Sequence, residues 1–476
     1  MNKNKSQSKQ IRVRFAPSPT GVLHIGSVRT ALFNYLFAKQ NNGKFILRIE
    51  DTDKERSKKE YEEDILAGLK WLGMEGDEFY RQSDRGEVFK KHIQKLIADG
   101  KAYVSDETTN ESKNSEVATD QEIQKNENEV NFINPKKKEG EKRSSVIRFK
   151  NPNTVVTFND VVRGEIKFDT TELGDFVIAK DEDTPLYHLT VVVDDFEMGI
   201  THIIRGEDGI SNTPRQILIQ EALGAPRPVY CHIPLILAPD KSKLSKRHGA
   251  VAVTEYKKLG YLSEAIINFI AFIGWNPGTE KEIYSIDELI QDFSLEKIKK
   301  GGAVFNVEKL DSVNKEYLKK LSTDELAEML IEYLPEELKQ KAELDKSLWQ
   351  KIVEIEGERL NRLSDIQNIE LNYFFNQSEY DAEKLMWRQE KDLVNTKEYL
   401  EKIIELLNLL DEKDFTSHNI KEKVWAYAEE KGRGNVLWPF RMALSGQDKS
   451  PDPLILAEIL GKKETTKRLK VAVEKI

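Results

Sequence analysis

Apolar and polar positions along the first hundred residues follow the pattern of strands separated by helices. Arg12–Phe15 alternates polar and apolar side chains, as a short strand does. Apolar positions then recur at spacings of three and four, which predicts a helix carrying Val28, Ala31, Leu32, Tyr35 and Leu36 on one face. Residues 45–49 predict a second strand, and residues 61–72 a second helix that stops at Gly73. This alternation favours a parallel sheet with helices packed on it.

A polar stretch interrupts this pattern at residues 105–145. Asn, Glu, Lys, Ser and Thr dominate it, and its few apolar residues cannot repay the entropy of ordering, so we expect a poorly ordered segment or a long surface excursion. Strand-like runs then return at residues 154–158, 175–179, 189–193, 200–204 and 233–237. Thr213 as N-cap, Pro214 at the first position and Gly224 beyond the end delimit a further predicted helix.

From about residue 262 onward the periodicity is almost wholly helical. The clearest examples are residues 317–334, 397–410 and 454–460. The second half therefore predicts one or two helical domains. A chain of 476 residues is expected to divide into several domains, because single cores stop growing well before this length.

Composition narrows the class of protein. The chain is 33% charged and 39% hydrophobic, and it has no apolar run near the roughly 20 residues of a membrane-spanning helix. We therefore expect a soluble globular protein with no membrane partner. Residues 1–10 are polar and lack the apolar core of a secretory signal, which favours a cytoplasmic location. The single cysteine, Cys231, excludes an internal disulfide framework and a cysteine-rich zinc site.

The formal net charge of −9 argues against a general binder of polyanions. A nucleic-acid partner would have to be attracted by local basic patches, and its binding would weaken with salt. Candidate patches are residues 241–247, 297–300 and 462–470, although any such run alone is more often a solvated surface.

Candidate chemistry lies first in residues 15–27, between the first predicted strand and its helix. Ligands of an open α/β sheet bind beyond the carboxyl ends of strands, near helix N-termini. Gly26 would let a nucleotide approach the backbone closely, and His24 and Ser27 could donate hydrogen bonds to phosphate oxygens. A lone His-x-Gly, however, is more often a turn with an incidental histidine.

A second candidate is the basic loop at residues 243–247, which contains Lys243, Lys246 and Arg247 and follows an apparent strand. Several cations on a short loop suit the charge that develops on a departing pyrophosphate. A basic loop alone is usually just solvated. Here residues 15–27 follow the first strand of the sheet, and residues 243–247 follow a late strand beyond the insertion. Together the two segments favour a nucleotide site.

These two segments resemble the signature motifs of class I aminoacyl-tRNA synthetases. Further segments are similar to motifs of the bacterial-type glutamyl branch, at residues 14–21, 47–53, 191–195, 204–208, 211–216, 246–249 and 274–275. The resemblance covers nearly the whole chain outside the polar stretch. It implies an α/β fold, with a Rossmann-type parallel-sheet catalytic domain, an acceptor-binding insertion and a following all-α anticodon-binding region.

The resemblance implies that ATP activates L-glutamate, which is then transferred to the 3′-terminal adenosine of tRNA(Glu). The α-carboxylate would attack the α-phosphorus of ATP, and the terminal 2′-hydroxyl would take the glutamyl group from the adenylate. Catalysis would rest on positioning and on charge stabilisation by His24, Lys243 and Lys246, with a magnesium ion bridging the phosphates. The implied ATP-binding residues are His24, Gly26, Ser27, Asp208, Lys243, Ser245, Lys246 and Arg247.

A glutamate pocket needs cations for two carboxylates and an anion for the ammonium group. By resemblance, Arg14 and Arg205 would hold carboxylates, since an arginine can bind a carboxylate through two parallel hydrogen bonds. Glu50 would receive the ammonium, with Ser18 and Tyr187 as hydrogen-bonding walls. An arginine facing the side-chain carboxylate would also reject glutamine, whose neutral amide leaves that cation unpaired.

Three positions depart from the family pattern. Residue 188 is His where many relatives have Asn, although His also occurs in the family. Residue 209 is Gly where relatives usually carry His or Trp beside the nucleotide, which could weaken or reshape adenosine binding. Some relatives hold zinc with cysteines in the acceptor-stem insertion. This chain has no cysteine there, so we predict no structural zinc.

The resemblance also assigns tRNA contacts and a domain plan. Residues 434–446 and 457–462 match the anticodon-binding region best, and Arg359 falls near where relatives read an anticodon base, although a solvated helix charge is about as good an interpretation. Asp194 is a second candidate tRNA contact. The expected parts are the catalytic halves 1–104 and 191–255, the insertion 105–190, a helical connecting domain 256–320 and an anticodon-binding region 321–476.

Several alternatives stay open. A glutamyl transferase that modifies a tRNA base would lack the helical second half, and a glutaminyl-specific relative would usually carry a β-rich one. Intact His24, Lys243 and Lys246 argue against a catalytically inactive tRNA-binding protein, an alternative that the glycine at residue 209 keeps open. The sequence does not decide whether tRNA(Gln) is charged as well as tRNA(Glu). The expected partners are tRNA(Glu), L-glutamate and ATP. We expect the protein itself to be a monomer.

Overall fold

The computed structural model describes residues 10–107, 144–242, 244, 252–388 and 392–476. The chain divides into two compact units. The first runs to Lys258 and includes Leu262–Val313, and the second comprises Leu259–Tyr261 and Asn314–Ile476. Within the described residues, no helix is long and apolar enough to cross a membrane.

The first unit opens with three parallel strands, β1 (Arg12–Phe15), β2 (Lys44–Ile49) and β3 (Glu78–Arg81), in that order across the sheet. Helix α1 (Ile25–Gln40) joins β1 to β2, and α2 (Lys59–Trp71) joins β2 to β3. The predicted strand–helix alternation is therefore confirmed. Gly73 follows α2 with φ 66°, a left-handed conformation that glycine adopts without steric cost.

Helix α3 (Gly86–Ala98) leads into an antiparallel sheet that includes the two ends of the polar stretch. Its strands are β4 (Ala102–Glu107), β5 (Ser144–Phe149), β8 (Phe176–Asp181) and β9 (Thr184–Pro185), paired in that order. The ends of the stretch at 105–107 and 144–145 therefore belong to paired strands. The predicted disorder or excursion otherwise falls on residues 108–143, which lie outside the described part of the chain.

A third sheet has the order β10–β11–β6–β7, with β6 (Val155–Asp160), β7 (Gly164–Asp169), β10 (His202–Gly206) and β11 (Val229–Ile233). β10 and β11 are parallel, and β11 meets β6 through the pair Tyr230–Asp160. The backbone N–H of Thr201 donates to the carbonyl of Arg12 over 2.9 Å, which links the start of β10 to β1. The carboxyl ends of β1 and β10 therefore face a common space.

Helix α4 (Tyr187–Glu197) corrects the predicted strand at residues 189–193. Residues 188–195 are all buried, and a continuous apolar run fits a buried helix as well as a buried strand. Helix α5 (Thr213–Leu223) begins at Thr213 itself, with Asn212 as N-cap, so the predicted cap was one residue too late. Gly224 ends α5 with φ 72°, as predicted. The strand predicted at 233–237 is split between the end of β11 and β12 (Ile236–Leu237).

The first unit continues with α6 (Val253–Lys258), α7 (Ser263–Ala271), α8 (Ile286–Asp292) and β13 (Ala303–Val304), which pairs with β12. Helix α9 (Val307–Leu318) follows. The predicted helix over 317–334 is wrong in extent, because α9 ends at Leu318 and Ser322 starts a new helix. Ser322 and Glu325 form a reciprocal capping box, in which each side chain accepts a hydrogen bond from the backbone N–H of the other residue at the start of that new helix.

The second unit is helical, as predicted. Its helices are α10 (Thr323–Ile331), α11 (Glu336–Leu344), α12 (Lys346–Glu356), α13 (Asn372–Phe375), α14 (Leu393–Asn408), α15 (Ser417–Lys431), α16 (Arg433–Ser445) and α17 (Pro453–Lys475). The helix predicted at 454–460 continues to Lys475 across a kink at Gly461, whose φ is 75°. Buried apolar residues on α14 to α17, among them Leu400, Ile420, Phe440 and Leu469, form the packed face of these helices.

Candidate active site

His24 caps α1 at the carboxyl end of β1. Its Nδ1 accepts hydrogen bonds from the backbone N–H groups of Gly26 (3.1 Å) and Ser27 (3.3 Å). A nitrogen that accepts from backbone donors carries no proton, so the neutral ring bears its proton on Nε2, which lies 3.1 Å from Ser27 Oγ. The ring is exposed, and a phosphate at this helix N-terminus would meet a donor at Nε2.

A cavity of about 170 Å³ lies at the carboxyl ends of β1, β2 and β10, and His24, Gly26 and Ser27 are not among the residues that line it. It contains Arg14, Glu50, Tyr187 and Arg205 from the predicted glutamate pocket, and Asp208 from the predicted ATP site. Ser18 does not line it. The remaining lining residues are Phe15, Ala16, Thr30, Val191, Gly206, Gly209 and Asn212.

Arg14, the first cation of this cavity, is buried and fixed by Asp195 of α4. Its Nε donates to Asp195 Oδ1 over 3.1 Å and its Nη2 to Oδ2 over 3.4 Å. Asp195 also accepts from Arg48 Nη1 over 2.8 Å. Burial alone would raise the pKa of Asp195, but the charges of Arg14 and Arg48 outweigh burial and lower it.

Glu50, the anion of this cavity, is also held by Arg48. Glu50 Oε1 accepts from Arg48 Nη2 over 2.9 Å and from Nε over 3.3 Å. Burial raises the pKa of Glu50, and the charge of Arg48 opposes that rise without cancelling it. A substrate ammonium group beside Glu50 would favour the ionised carboxylate further.

Arg48 is a site residue that sequence reasoning missed. It is fully buried in β2, where its neighbours Phe45, Ile46 and Ile49 are apolar and buried. A charged side chain within such an apolar strand is a usable signal, because a buried charge requires a partner. Thr30 and Asn212 were also missed, and their polar side chains carry no comparable sequence signal.

Asp194 does not fit the predicted tRNA contact. Its side chain is 0% exposed and accepts from Arg85 Nε over 2.6 Å and from Gln82 Nε2 over 3.0 Å. A side chain with no accessible surface cannot touch a macromolecular ligand in this conformation. We therefore correct the assignment: Asp194 anchors Arg85 and Gln82 to α4.

Arg205 lies in β10 with its guanidinium folded against residue 209. Its Nε donates to His232 Nε2 over 3.1 Å, and its Nη2 donates to the carbonyl of Gly209 over 3.0 Å and to Thr213 Oγ1 over 2.8 Å. A Cβ at residue 209 would lie 2.5 Å from Arg205 Nε and 2.8 Å from its Cδ. The glycine therefore makes room for this conformation of Arg205.

His188, the other departure from the family pattern, is buried beside Tyr187. The two ring centroids are 5.4 Å apart, and Tyr187 presents its side chain to the cavity. Burial, reinforced by the positive charges of Arg215 and Arg205, lowers the pKa of His188 to about 3. His188 is therefore a neutral packing residue at physiological pH.

None of the remaining predicted residues is among the described residues that line this cavity. Lys243, Ser245, Lys246 and Arg247 fall outside the described residues, so their roles stay predictions. Arg359 belongs to the second unit, where its side chain is 63% exposed and its Nη1 donates to Glu356 Oε2 over 2.7 Å.

The described residues contain no group of three or more His, Cys, Asp or Glu side chains that could hold a metal ion. Magnesium does not require one, because it commonly keeps several waters and binds through substrate phosphates and one or two carboxylates. Asp208 is an exposed carboxylate at the cavity, which is compatible with a magnesium ion carried by ATP.

Comparison with known proteins identifies the class to which this fold and cavity belong. The family profile described as "tRNA synthetases class I (E and Q), catalytic domain" matches residues 10–312, and the profile "Anticodon binding domain" matches residues 325–473. The chain belongs to the class I tRNA synthetase family defined by that catalytic domain.

Full-length relatives narrow the assignment to one activity within this family. The glutamate–tRNA ligases of Aquifex aeolicus and Thermodesulfovibrio yellowstonii are each 42% identical, over 98% of this chain and 99% of their own length. A crystal structure of a glutamate tRNA ligase from Elizabethkingia meningosepticum, in complex with its amino acid, superposes with a TM-score of 0.82. It is 34% identical and covers 98% of this chain and 99% of its own. These matches confirm the family and the ligase class predicted from the sequence, and they support glutamate–tRNA ligase function.

Proposed function

We propose that this chain activates L-glutamate with ATP and transfers the glutamyl group to the 3′-terminal adenosine of tRNA(Glu), releasing AMP and pyrophosphate. The observation that carries the proposal is the charge pattern of the cavity. Arg14 and Arg205 supply two cations and Glu50 supplies one buried anion, all lining the same space of about 170 Å³, and the exposed Asp208 in the same lining is assigned to the nucleotide. Free glutamate carries the complementary set of two carboxylates and one ammonium group.

The two arginines bind the carboxylates in this proposal and Glu50 binds the ammonium. Arg14 is held rigidly by two hydrogen bonds to Asp195, so little conformational entropy is lost when a carboxylate binds. Arg205 lines the cavity at the end of β10, where its guanidinium is held by His232, Gly209 and Thr213. A glutamine amide would leave the arginine that faces it without an anionic ligand, which disfavours that substrate.

ATP binds next to the amino acid, at the N-terminus of α1. The helix dipole and His24 Nε2 favour phosphate there, and Ser27 lies within hydrogen-bonding distance of the same nitrogen. We assign Lys243 and Lys246 to the charge on the departing pyrophosphate, as the family motif implies. Gly26, Ser245, Arg247 and Asp208 complete the nucleotide site.

The chain supplies positioning and fixed charge, and no side chain is required as a covalent nucleophile. Glutamate's own α-carboxylate attacks the α-phosphorus, so the protein must hold the two reactants in line and stabilise the developing negative charge. A magnesium ion would neutralise part of the charge on the ATP phosphates, and the exposed carboxylate of Asp208 in the cavity lining would be one ligand for it.

Charging of purified tRNA(Glu) and tRNA(Gln) with labelled glutamate, side by side, tests this function. We expect label on tRNA(Glu) with ATP and magnesium present, and none when glutamine replaces glutamate. Label on both tRNAs would show an enzyme that does not discriminate between them. No label on either, with folded protein that still binds tRNA, would replace the enzyme with a tRNA-binding protein.

An Arg14→Ala variant supplies the matched test of the cavity. It removes one of the two cations, so the KM for glutamate should rise by about tenfold or more while the KM for ATP changes little. Arg12→Ala is a suitable control, because Arg12 lies in the same strand and pairs with Glu78, and Arg12 does not line the cavity.

A further inference from the structure

Arg205 donates a hydrogen bond to a buried Asp–His pair, whose two members lie on strands far apart in the sequence. Asp160 ends β6 and His232 lies in β11, and these strands meet through the pair Tyr230–Asp160. His232 Nδ1 lies 2.7 Å from Asp160 Oδ2, and both side chains are buried. Neither residue lines the cavity, and neither belongs to the motifs that predicted the site.

The hydrogen bonds of Asp160 determine which ring nitrogen of His232 carries the proton. Asp160 Oδ1 accepts from the backbone N–H groups of Val162 (3.0 Å) and Arg163 (2.8 Å), and Oδ2 accepts from the backbone N–H of His232 (3.0 Å). These donors and the His232 ring keep the pKa of Asp160 below its usual value despite its burial. The ionised carboxylate is only an acceptor, so His232 Nδ1 must be the protonated nitrogen.

The opposite nitrogen of His232 is consequently an acceptor facing Arg205. Burial lowers the pKa of His232, so the ring stays neutral and Nε2 keeps its lone pair. Arg205 Nε donates to that lone pair over 3.1 Å. An arginine can only donate, and the other tautomer of His232 would place two N–H donors against each other.

We propose that Asp160 and His232 form a positioning pair that fixes the orientation of Arg205 and thereby sets the affinity for the carboxylate of the amino-acid substrate. The inference rests on the proposed function, because it takes glutamate as the ligand of Arg205. Neither residue of the pair touches the substrate. The chain of contacts runs from Asp160 to His232 Nδ1, and from His232 Nε2 to Arg205 Nε.

Arg205 needs this support because its remaining contacts do not hold it alone. Both other hydrogen bonds come from a single nitrogen, Nη2, to the carbonyl of Gly209 and to Thr213 Oγ1. Without the Nε bond, the guanidinium can rotate about Nη2 and lose its fixed orientation at the cavity. His232 therefore converts a guanidinium held at one nitrogen into one held at two.

Three variants of His232 and its surroundings test the pair in the full chain. His232→Leu removes the acceptor, whereas His232→Gln can place its Oε1 near the position of Nε2 and accept from Arg205. We expect the KM for glutamate to rise about tenfold or more in His232→Leu and less than about threefold in His232→Gln. The KM for ATP should stay within about twofold in both, since the pair acts on Arg205. His202→Leu is the matched control, because His202 starts the neighbouring strand and packs on Phe37 at 4.8 Å.

Asp160→Asn separates positioning from stability. An amide in place of the carboxylate can donate to His232 Nδ1 and force the proton to Nε2, so the KM for glutamate should rise in the wild-type background. In the His232→Gln background no imidazole tautomer exists, and the same substitution should leave the KM for glutamate nearly unchanged. A merely structural Asp160 would instead raise the KM values for glutamate and ATP together in both backgrounds.

Equal impairment of His232→Leu and His232→Gln in folded proteins would overturn the proposal, as would parallel changes in the two KM values. The rise in Tm that glutamate causes is measured on the same proteins, because it reports binding without catalysis. If His232→Leu does not fold, the Asp160→Asn comparison in two backgrounds decides the question. Wild-type protein that gains Tm with glutamate but charges no tRNA would overturn the proposed function, while the loss of that gain in His232→Leu alone would still support the positioning pair.

Discussion

Arg48 Nη1 donates to Asp195 Oδ1 over 2.8 Å, and Arg48 Nη2 donates to Glu50 Oε1 over 2.9 Å. One fully buried arginine thus touches the carboxylate that holds Arg14 and the carboxylate assigned to the substrate ammonium. Two arginines share Asp195, so each charge in this cluster has an opposite charge within hydrogen-bonding distance. Arg14 and Glu50 are therefore fixed relative to one another before any ligand binds.

Asp195→Asn should destabilise the protein and weaken glutamate binding together. The substitution removes the negative charge shared by Arg14 and Arg48, and breaking a buried ion pair by removing one partner costs about 3–5 kcal/mol. Urea unfolding followed by circular dichroism measures the first effect and the KM for glutamate the second. Glu197→Gln, on the same helix but half exposed and paired with His92, is the control and should change neither by much.

The pH dependence of the unfolding free energy should show that ionised Asp195 stabilises the fold. Its pKa in the folded protein lies below the unfolded value of about 3.9, so its ion pairs stabilise the fold fully above that value. This contribution is lost as the pH falls through the lowered folded pKa. The difference in unfolding free energy between wild type and Asp195→Asn should therefore shrink on acidification below about pH 4, and a constant difference would contradict the prediction.

Glu50 should make glutamate binding sensitive to mild acid. Its pKa is raised by burial, so the carboxylate becomes protonated at a higher pH than an ordinary glutamate would. The protonated form cannot pair with the substrate ammonium. The kcat/KM for glutamate should therefore begin to fall at a pH above the ordinary glutamate pKa of about 4.3, while the kcat/KM of Glu50→Gln should be low and much flatter over the same range. Parallel profiles for the two proteins would exclude Glu50 as the titrating group.

The parallel arrangement of β1 to β3 could be predicted because short strand patterns alternate there with helices whose apolar positions recur at spacings of three and four. The helix Tyr187–Glu197 could not, since its buried run of valines carries neither the strand period nor the helix period. The bounds of this helix could not be predicted either, because polar residues near both ends, such as His188 and Asp195, are themselves buried. Burial on all sides removed the pattern on which the prediction depended.

The residues of the site also fall into two groups: those that motifs predicted, and those that hold them in place. Arg14, Glu50, Tyr187 and Arg205 could be placed in one pocket from motifs alone, and the cavity brings these four together. Arg48, Asp160 and His232 support them through contacts between strands, and those contacts depend on sheet order. Asp160 and His232 are 72 residues apart, and only the pairing of β6 with β11 makes them neighbours.

Gly209→Ala should disturb Arg205 more than the nucleotide. The new Cβ would lie 2.5 Å from Arg205 Nε, so the guanidinium must leave the position in which His232 and Thr213 hold it. We expect the KM for glutamate to rise by about tenfold and the KM for ATP to change less. Gly86→Ala is the control, because a Cβ there meets nothing within 4 Å. A larger change for ATP than for glutamate would show that the space at 209 serves the adenosine instead.

Arg359→Ala in the second unit should affect both stability and tRNA binding, and the two effects can be separated. Arg359 compensates Glu356, which is 0% exposed and whose Oε1 has no hydrogen-bond partner among the described residues. Removing Arg359 leaves a buried carboxylate with its main partner gone, which should cost about 1–3 kcal/mol in unfolding free energy. Glu356→Gln in the same chain removes the buried charge and should restore part of that stability.

The exposed guanidinium of Arg359 is the part that could touch RNA, so the restored double variant isolates it. If Arg359 contacts tRNA, the double variant should be nearly as stable as the wild type yet bind tRNA(Glu) more weakly, with a shallower dependence of affinity on salt because one cation is lost. Asp194→Asn is the opposite case, since its buried position predicts lower stability and an unchanged salt dependence. Full tRNA affinity in the double variant would assign Arg359 only to the compensation of Glu356.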